Sequence, residues 1–202
     1  MKRKFFNIIG TATIIFAAAI LTAHAVPLDK LIGKSLTTGN FIFSNFSAPS
    51  FVGAGPSQID VQTETITDPA TGSQRTGLRF TAPFSQGSGG GPHEIVLNVN
   101  YFVTDLGNTV HTIQHSFNGS ANGSAAIYMY TTARPFPGSL TSTFLLTCIG
   151  PTGCTSNPSQ ADLFAVTSSF YVEQQVQLIV SGRKGVTGTT SLQGFEVLFT
   201  EP

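Results

Sequence analysis

The sequence predicts an all-β protein, a single antiparallel β-sandwich of jelly-roll-like type with about eight to ten strands. Three observations predict it. Short segments rich in Val, Ile, Phe, Tyr and Thr alternate apolar and polar residues with a period of two. Clusters of Gly, Pro and Asn separate them. No long segment carries the 3.6-residue period of an amphipathic helix.

The elements follow in order. Pro27 to Ile32 has room for a turn or two of helix, ended by Gly33. In Asn40 to Phe46, Phe41 and Phe43 share a face, and Phe46 joins them only after a slip of one residue. Ile59 to Ile66 alternates Ile59, Val61 and Ile66 with Gln62 and Glu64. Gly77 to Ala82 carries Leu78 and Phe80. Glu94 to Thr104 is the strongest run, with Ile95, Leu97, Val99, Tyr101 and Val103 on one face. Val110 to Phe117, Ser124 to Thr132 and Ser142 to Ile149 come next. Phe164 to Ser181 reads as one bent strand or two. Leu192 to Thr200 closes the series with Phe195, Val197 and Phe199 on one side. Ser47 to Ser57 and Ser85 to Pro92 are too rich in Gly and Pro for strands and are expected to be sheet-end loops.

Residues 1–25 stand apart from the fold. Lys2, Arg3 and Lys4 precede an uncharged apolar run from Ile8 to Leu21, followed by Ala23-His24-Ala25. This is the pattern of a secretory signal peptide cleaved between Ala25 and Val26. Residues 26–202 are then one exported domain, with no further segment apolar enough to span a membrane as a helix. The ten basic residues equal the ten acidic ones, and three of the basic ones fall in the leader. No basic stripe is left to neutralise phosphates, which excludes nucleic acid as a partner. Cys148 and Cys154 flank Gly-Pro-Thr-Gly and are expected to pair as a disulfide pinning that loop.

Chemistry-bearing motifs fail one by one. Gly33-Lys34-Ser35 lacks the glycine five positions earlier, where Leu28 stands, so it is no phosphate loop. Pro92 interrupts the glycine run from Gly87. His93-Glu94 has Leu97 where a zinc protease needs its second histidine. His111 and His115 fall on a strand, about 13 Å apart, and are expected to be structural or surface residues. The acids, Glu64 and Glu196 among them, are scattered; two converging in space would make a glycosidase pair, which spacing alone does not show. No catalytic residue, cofactor or metal site is therefore expected. Tryptophan is absent, so a stacking platform for sugars falls to Tyr101, Tyr128, Tyr130 and Tyr171, with Tyr128 and Tyr130 as the candidate binding surface.

Several stretches together resemble exported bacterial β-sandwich proteins of the PEP-CTERM sorted type. LDKLIGKSLTTGNFIFSNFS is similar to their opening, HTIQHSFNGSANGSAAIYMYTT to a central strand pair with a Ser-Phe-Asn-Gly turn, and LQGFEVLFTEP to the last strand before the sorting tail. The resemblance implies a sandwich exported by an exopolysaccharide-producing bacterium. It carries no functional residues. Where the resemblance implies a Pro-Glu-Pro motif, a membrane span and a basic end, the sequence shows Glu201-Pro202, so the expectation is a relative without the sorting anchor.

The expectation from sequence is a non-enzymatic exported protein of the bacterial envelope or extracellular matrix with a structural or interaction role. The alternative is a lectin-like carbohydrate- or surface-binding module, and a glycan-acting hydrolase comes third. Extracellular polysaccharide or matrix components are the expected partners.

Overall fold

Strands form where the alternation places them, and they run longer than it suggests. The computed structural model describes residues 24–67, 72–87, 93–107, 109–136, 142–150, 159–181 and 187–200. Most of the expected leader, along with Asp68, residues 88–92, Cys154 and Glu201-Pro202, lies outside them. The strands are β1 (Val26–Pro27), β2 (Ser35–Thr38), β3 (Phe41–Ser47), β4 (Phe51–Val52), β5 (Asp60–Thr67), β6 (Gln74–Gly87) and β7 (His93–Asp105). They continue as β8 (Val110–Gly123), β9 (Ala125–Pro135), β10 (Ser142–Ile149), β11 (Ser159–Thr167), β12 (Ser169–Val180) and β13 (Gly188–Thr200). One helix, α1 (Leu28–Leu31), and a 3₁₀ turn at Pro56–Gln58 complete the described elements.

Two antiparallel sheets pack face to face. One has the order β1-β5-β6-β13-β8-β11; the other runs β10-β9-β12-β7-β3-β2, with β4 added on β7. The all-β sandwich expected from sequence is thus the observed fold. Val26, expected to open the mature chain, begins the first strand and pairs with Val61.

Several expectations need correction. Thirteen strands are described where eight to ten were expected, because short edge strands such as β1, β2 and β4 carry too few residues for a visible period. Of the two readings of the Phe164 to Ser181 run, two strands holds: they are β11 and β12, in different sheets. Ser85 to Gly87, expected in a loop, instead prolongs β6, pairing with Ser191, Thr190 and Thr189. Ser47 to Ser57 holds β4 and the 3₁₀ turn. The Ser-Phe-Asn-Gly segment is no turn: it runs through β8, with Asn118 and Gly119 paired to Gly194 and Leu192.

The slip before Phe46 is a β-bulge between Ser44 and Ser47. Asn45 sits there at φ 53°, a left-handed conformation that asparagine tolerates better than most side chains. The bulge returns Phe46 to the core beside Phe41 and Phe43. Leu28 and Leu31 of α1 are buried against the same core.

Inward residues of both sheets form a continuous seam of aromatic rings. Phe199 of β13 lies 5.3 Å from Phe170, 6.1 Å from Phe43 and 6.2 Å from Phe41, all on the other sheet. Phe80 of β6 packs on Phe195 at 4.6 Å and reaches Tyr101 of β7 at 6.2 Å. Tyr101 in turn lies on Phe46 at 5.6 Å. Tyr101 is fully buried, so of the four tyrosines weighed for sugar stacking it belongs to the core.

His115 is also a core residue, 2% exposed, its Nδ1 2.9 Å from Thr131 Oγ1 across the sheet gap. Burial pushes its pKa down from 6.5 to about 4. A histidine whose folded pKa is depressed adds stability above its unfolded value and loses it as pH falls through the window between the two. Stability is therefore expected to decline from about pH 6.5 towards pH 4 by about 3 kcal/mol from this residue. Denaturant melts of His115→Gln across that range should show a flatter slope than the unsubstituted protein; an identical slope would remove the buried neutral imidazole.

Candidate functional site

With the inner phases committed to the core, the outer phase of each sheet carries what chemistry the domain offers. On the seven-stranded sheet the registers of β9, β12 and β7 build rows that cross the strands. Tyr128 lies beside Gln177, which lies beside Val96; Tyr130 beside Gln175 and then Asn98. Thr132, Glu173 and Asn100 make the next row, and Arg134, Tyr171 and Phe102 the one after.

Tyr128 and Tyr130 stand two apart on β9, on one side of the pleat. Their rings stack with centroids 6.4 Å apart and planes 20° from parallel. Both are half-buried. Beside Tyr130 lies a shallow depression of about 270 Å³ lined by Pro49, Asn98, Asn100, Thr132, Glu173 and Gln175. Asn98 Nδ2 donates to Ser50 Oγ, and Arg134 Nη2 donates to Glu173 Oε2 at 3.0 Å. At one end, Phe102 packs on Tyr171 at 5.1 Å and edge-on to the exposed Phe136 at 5.8 Å. Burial and the charge of Glu173 raise the Tyr171 pKa, while a hydrogen bond from Asn100 opposes them. The result is a flat strip that offers ring faces on one side and amide donors and acceptors on the other.

The six-stranded sheet presents something different. Gln62 of β5, Arg79 of β6, Glu196 of β13 and Ser116 of β8 form one row across four strands. In the next row Thr81, Gly194 and Asn118 align. Here β13 bulges between Leu192 and Gly194, which leaves Gln193 and Gly194 both off the core side. A side chain at 194 would bring its Cβ to 2.5 Å from the Phe80 carbonyl oxygen, so glycine is required by the close approach of the strands. The missing side chain opens a cavity of about 550 Å³ over the backbone of Phe117 and Phe195, with the polar row at its wall.

Charge in this cavity is knitted together. Ser116 Oγ donates to Glu196 Oε1 at 2.6 Å, and Arg79 Nη1 lies 3.4 Å from Glu64 Oε1. Glu64 and Glu196 lie near enough for the charge of one to act on the other. Burial, first of all, raises the Glu64 pKa; Arg79 pulls it down, and the adjacent Glu196 charge raises it again.

The candidates from sequence thus fall in distinct places. Tyr128 and Tyr130 come together on an outer face. Tyr171 lies on the same face further along, and Tyr101 does not. Cys148 is buried on β10, and its expected partner Cys154 lies outside the described residues. Among those residues no cluster of three His, Cys, Asp or Glu is arranged to hold a metal ion. What the sequence did not reveal is the Glu64–Glu196–Arg79 cluster, since its members sit on three strands whose neighbourhood only the topology sets.

No family model and no curated protein matches the chain. Among solved structures it is similar to TmCBM61 in complex with beta-1,4-galactotriose, at 8% identity and a TM-score of 0.35 over 77% of this chain and 86% of that one. A family 11 carbohydrate-binding module from Clostridium thermocellum, in complex with a beta-1,3-1,4-mixed-linked tetrasaccharide, aligns at 11% identity and a TM-score of 0.23, covering 81% and 93%. The enzymatically active domain of bacteriophage CBA120 tailspike protein 4 aligns at 13% identity and 0.28, covering 79% of this chain and 19% of that chain. Likenesses this distant carry no argument about the site, which stands on its own geometry.

An acid whose folded pKa is raised adds stability below its unfolded pKa and loses it as pH rises through the folded value. Glu64→Gln keeps the protonated hydrogen-bonding form at every pH. It is expected to melt like the unsubstituted protein in acid and to become progressively more stable than it towards neutral pH. A stability difference that does not change with pH would show that Glu64 carries no such proton.

Proposed function

We propose that this chain is an exported, non-catalytic glycan-binding domain that acts through the outer face of its seven-stranded sheet. The single observation that carries the proposal is the stacked Tyr128–Tyr130 pair beside the amide rows of Asn98, Asn100, Gln175 and Gln177. A sugar ring has an apolar C–H face and an equatorial fringe of hydroxyls. Ring faces next to uncharged donors and acceptors complement both at once. Strands about 4.8 Å apart set successive positions within each row at a pitch near that of successive sugar units, so an extended oligosaccharide fits better than a compact ligand.

The distant likeness to oligosaccharide-bound modules accords with this proposal without supporting it. Such binding also accounts for the expected place in an envelope or matrix, where adhesion to an exopolysaccharide holds a protein outside the cell.

Affinity electrophoresis through gels containing neutral and acidic polysaccharides tests the binding. Retardation by at least one polymer is expected, weakened about tenfold in Tyr130→Ala, while Leu36→Ala at the opposite edge leaves it intact. No retardation by any polymer, or retardation indifferent to Tyr130→Ala and Gln175→Ala, would sink the proposal.

Export rests on the N-terminal pattern. Expressed with its leader in a Gram-negative host, the protein is expected outside the cytoplasm with a mass that begins at Val26. That mass should also be lighter by the hydrogens that a Cys148–Cys154 bond removes. Recovery of the chain from the cytoplasm with Met1 to Ala25 intact would overturn it.

A further inference from the structure

We infer that the cavity on the six-stranded sheet is a second saccharide site, shaped for one neutral sugar unit, and that the domain cross-links glycan chains through its two opposite faces. The cavity is independent of the tyrosine face: its lining comes from β5, β6, β8 and β13, none of which belongs to the other sheet. Its volume of about 550 Å³ falls in the range of small-molecule sites.

Its chemistry is that of a pyranose mould. The floor is strand backbone bared where Gly194 contributes no side chain, over Phe117 and Phe195, whose rings turn to the core. The wall alternates donors and acceptors: Arg79, Gln62, Thr81, Ser116, Asn118 and Glu196. The carboxylate of Glu196 is oriented by Ser116 at 2.6 Å, and a fixed carboxylate is a strong acceptor for sugar hydroxyls. Both signs of charge are already engaged: Arg79 is paired to Glu64, and Glu196 accepts from Ser116. The wall therefore selects hydroxyls rather than a charged sugar, and a neutral polyol matches it.

Two layers lie between the sites. Facing sheets stand about 10 Å apart, and the outer side chains add to that on both sides. The cavity and the tyrosine strip therefore look in opposite directions, and one oligosaccharide cannot reach both. Occupied together, they join two polymers. The cross-linking half of this inference rests on the glycan reading of the tyrosine face; the second site does not.

Chemical-shift mapping of the full exported domain with D-galactose and with D-glucose separates the two. At saturating sugar, backbone amides of Gly194, Asn118 and Glu196 are expected to shift, and to go on shifting in Tyr130→Ala. Thr81→Phe, an exposed substitution at the rim, fills the cavity without entering the core and should abolish those shifts. If neither sugar moves these amides, or Thr81→Phe leaves their shifts unchanged, the second site is refuted. Shifts at the cavity with none at Tyr128 and Tyr130 would refute the tyrosine face while leaving the cavity site standing.

Light scattering of mixtures with a polysaccharide that retards the protein then reads the cross-linking. The unsubstituted domain is expected to build large aggregates. Thr81→Phe and Tyr130→Ala should each fall short by on the order of a hundredfold in effective avidity. Aggregates of equal size with Thr81→Phe would overturn the bivalent arrangement.

Discussion

The aromatic seam between the sheets is the constraint on which the rest depends. Phe41, Phe43, Phe46, Tyr101 and Phe170 project from one sheet, and Phe80, Phe195 and Phe199 from the other, in an unbroken chain of contacts between 4.6 and 6.3 Å. Each large ring lost from such a position costs about 3–5 kcal/mol, a substantial part of the stability of an ordinary domain. These positions have little freedom to serve anything but packing. They also fix the register, because a slip of one residue would turn every inner ring to solvent.

Where the chain departs from regular pairing, it does so to protect the seam, and function follows from the departures. The bulge at Asn45 exists to bring Phe46 back into line with Tyr101. The bulge at Gln193 keeps Leu192 and Phe195 both facing inward while passing through Gly194. The space left over that glycine is the cavity. A requirement of the core therefore produced a concavity on the outer surface, and the side chains at its wall could diverge without disturbing the packing underneath.

Alternation made the core readable in advance. Ile95 through Val103 and Phe195 through Phe199 could be assigned to the inner face from period alone, and Tyr128 and Tyr130 could be recognised as one outer phase of a strand. Polar strand ends could not be read. Asn118 to Gly123 has the composition of a turn, yet it is held extended by β13 on one side, with Ser120 and Ser191 sharing a 2.9 Å hydroxyl contact. Pairing decided against local propensity there, as it commonly does in sheets. The amide rows beside Tyr130 and the Glu64–Arg79–Glu196 cluster were hidden for a deeper reason. Which strands are neighbours is set by the closure of the whole sandwich, and β5 meets β13 only through β6.

Both proposed sites lie on sheet faces rather than on the Gly- and Pro-rich loops, and that placement has an energetic consequence. Hydrogen-bonding groups on paired strands are already held at fixed spacing, so little conformational entropy remains to be lost when a ligand binds. The cross-links that hold them are visible: Ser116 on Glu196, Arg134 on Glu173, and the two tyrosine rings on each other. Sugars bind weakly per unit because water competes for every hydroxyl. A rigid array that repeats along a polymer, or that meets a second polymer behind it, offsets that weakness through multiplicity rather than through any single strong contact. The same sheet pairing that keeps the aromatic rings in register thus supplies the stiffness that a weak, repetitive ligand demands.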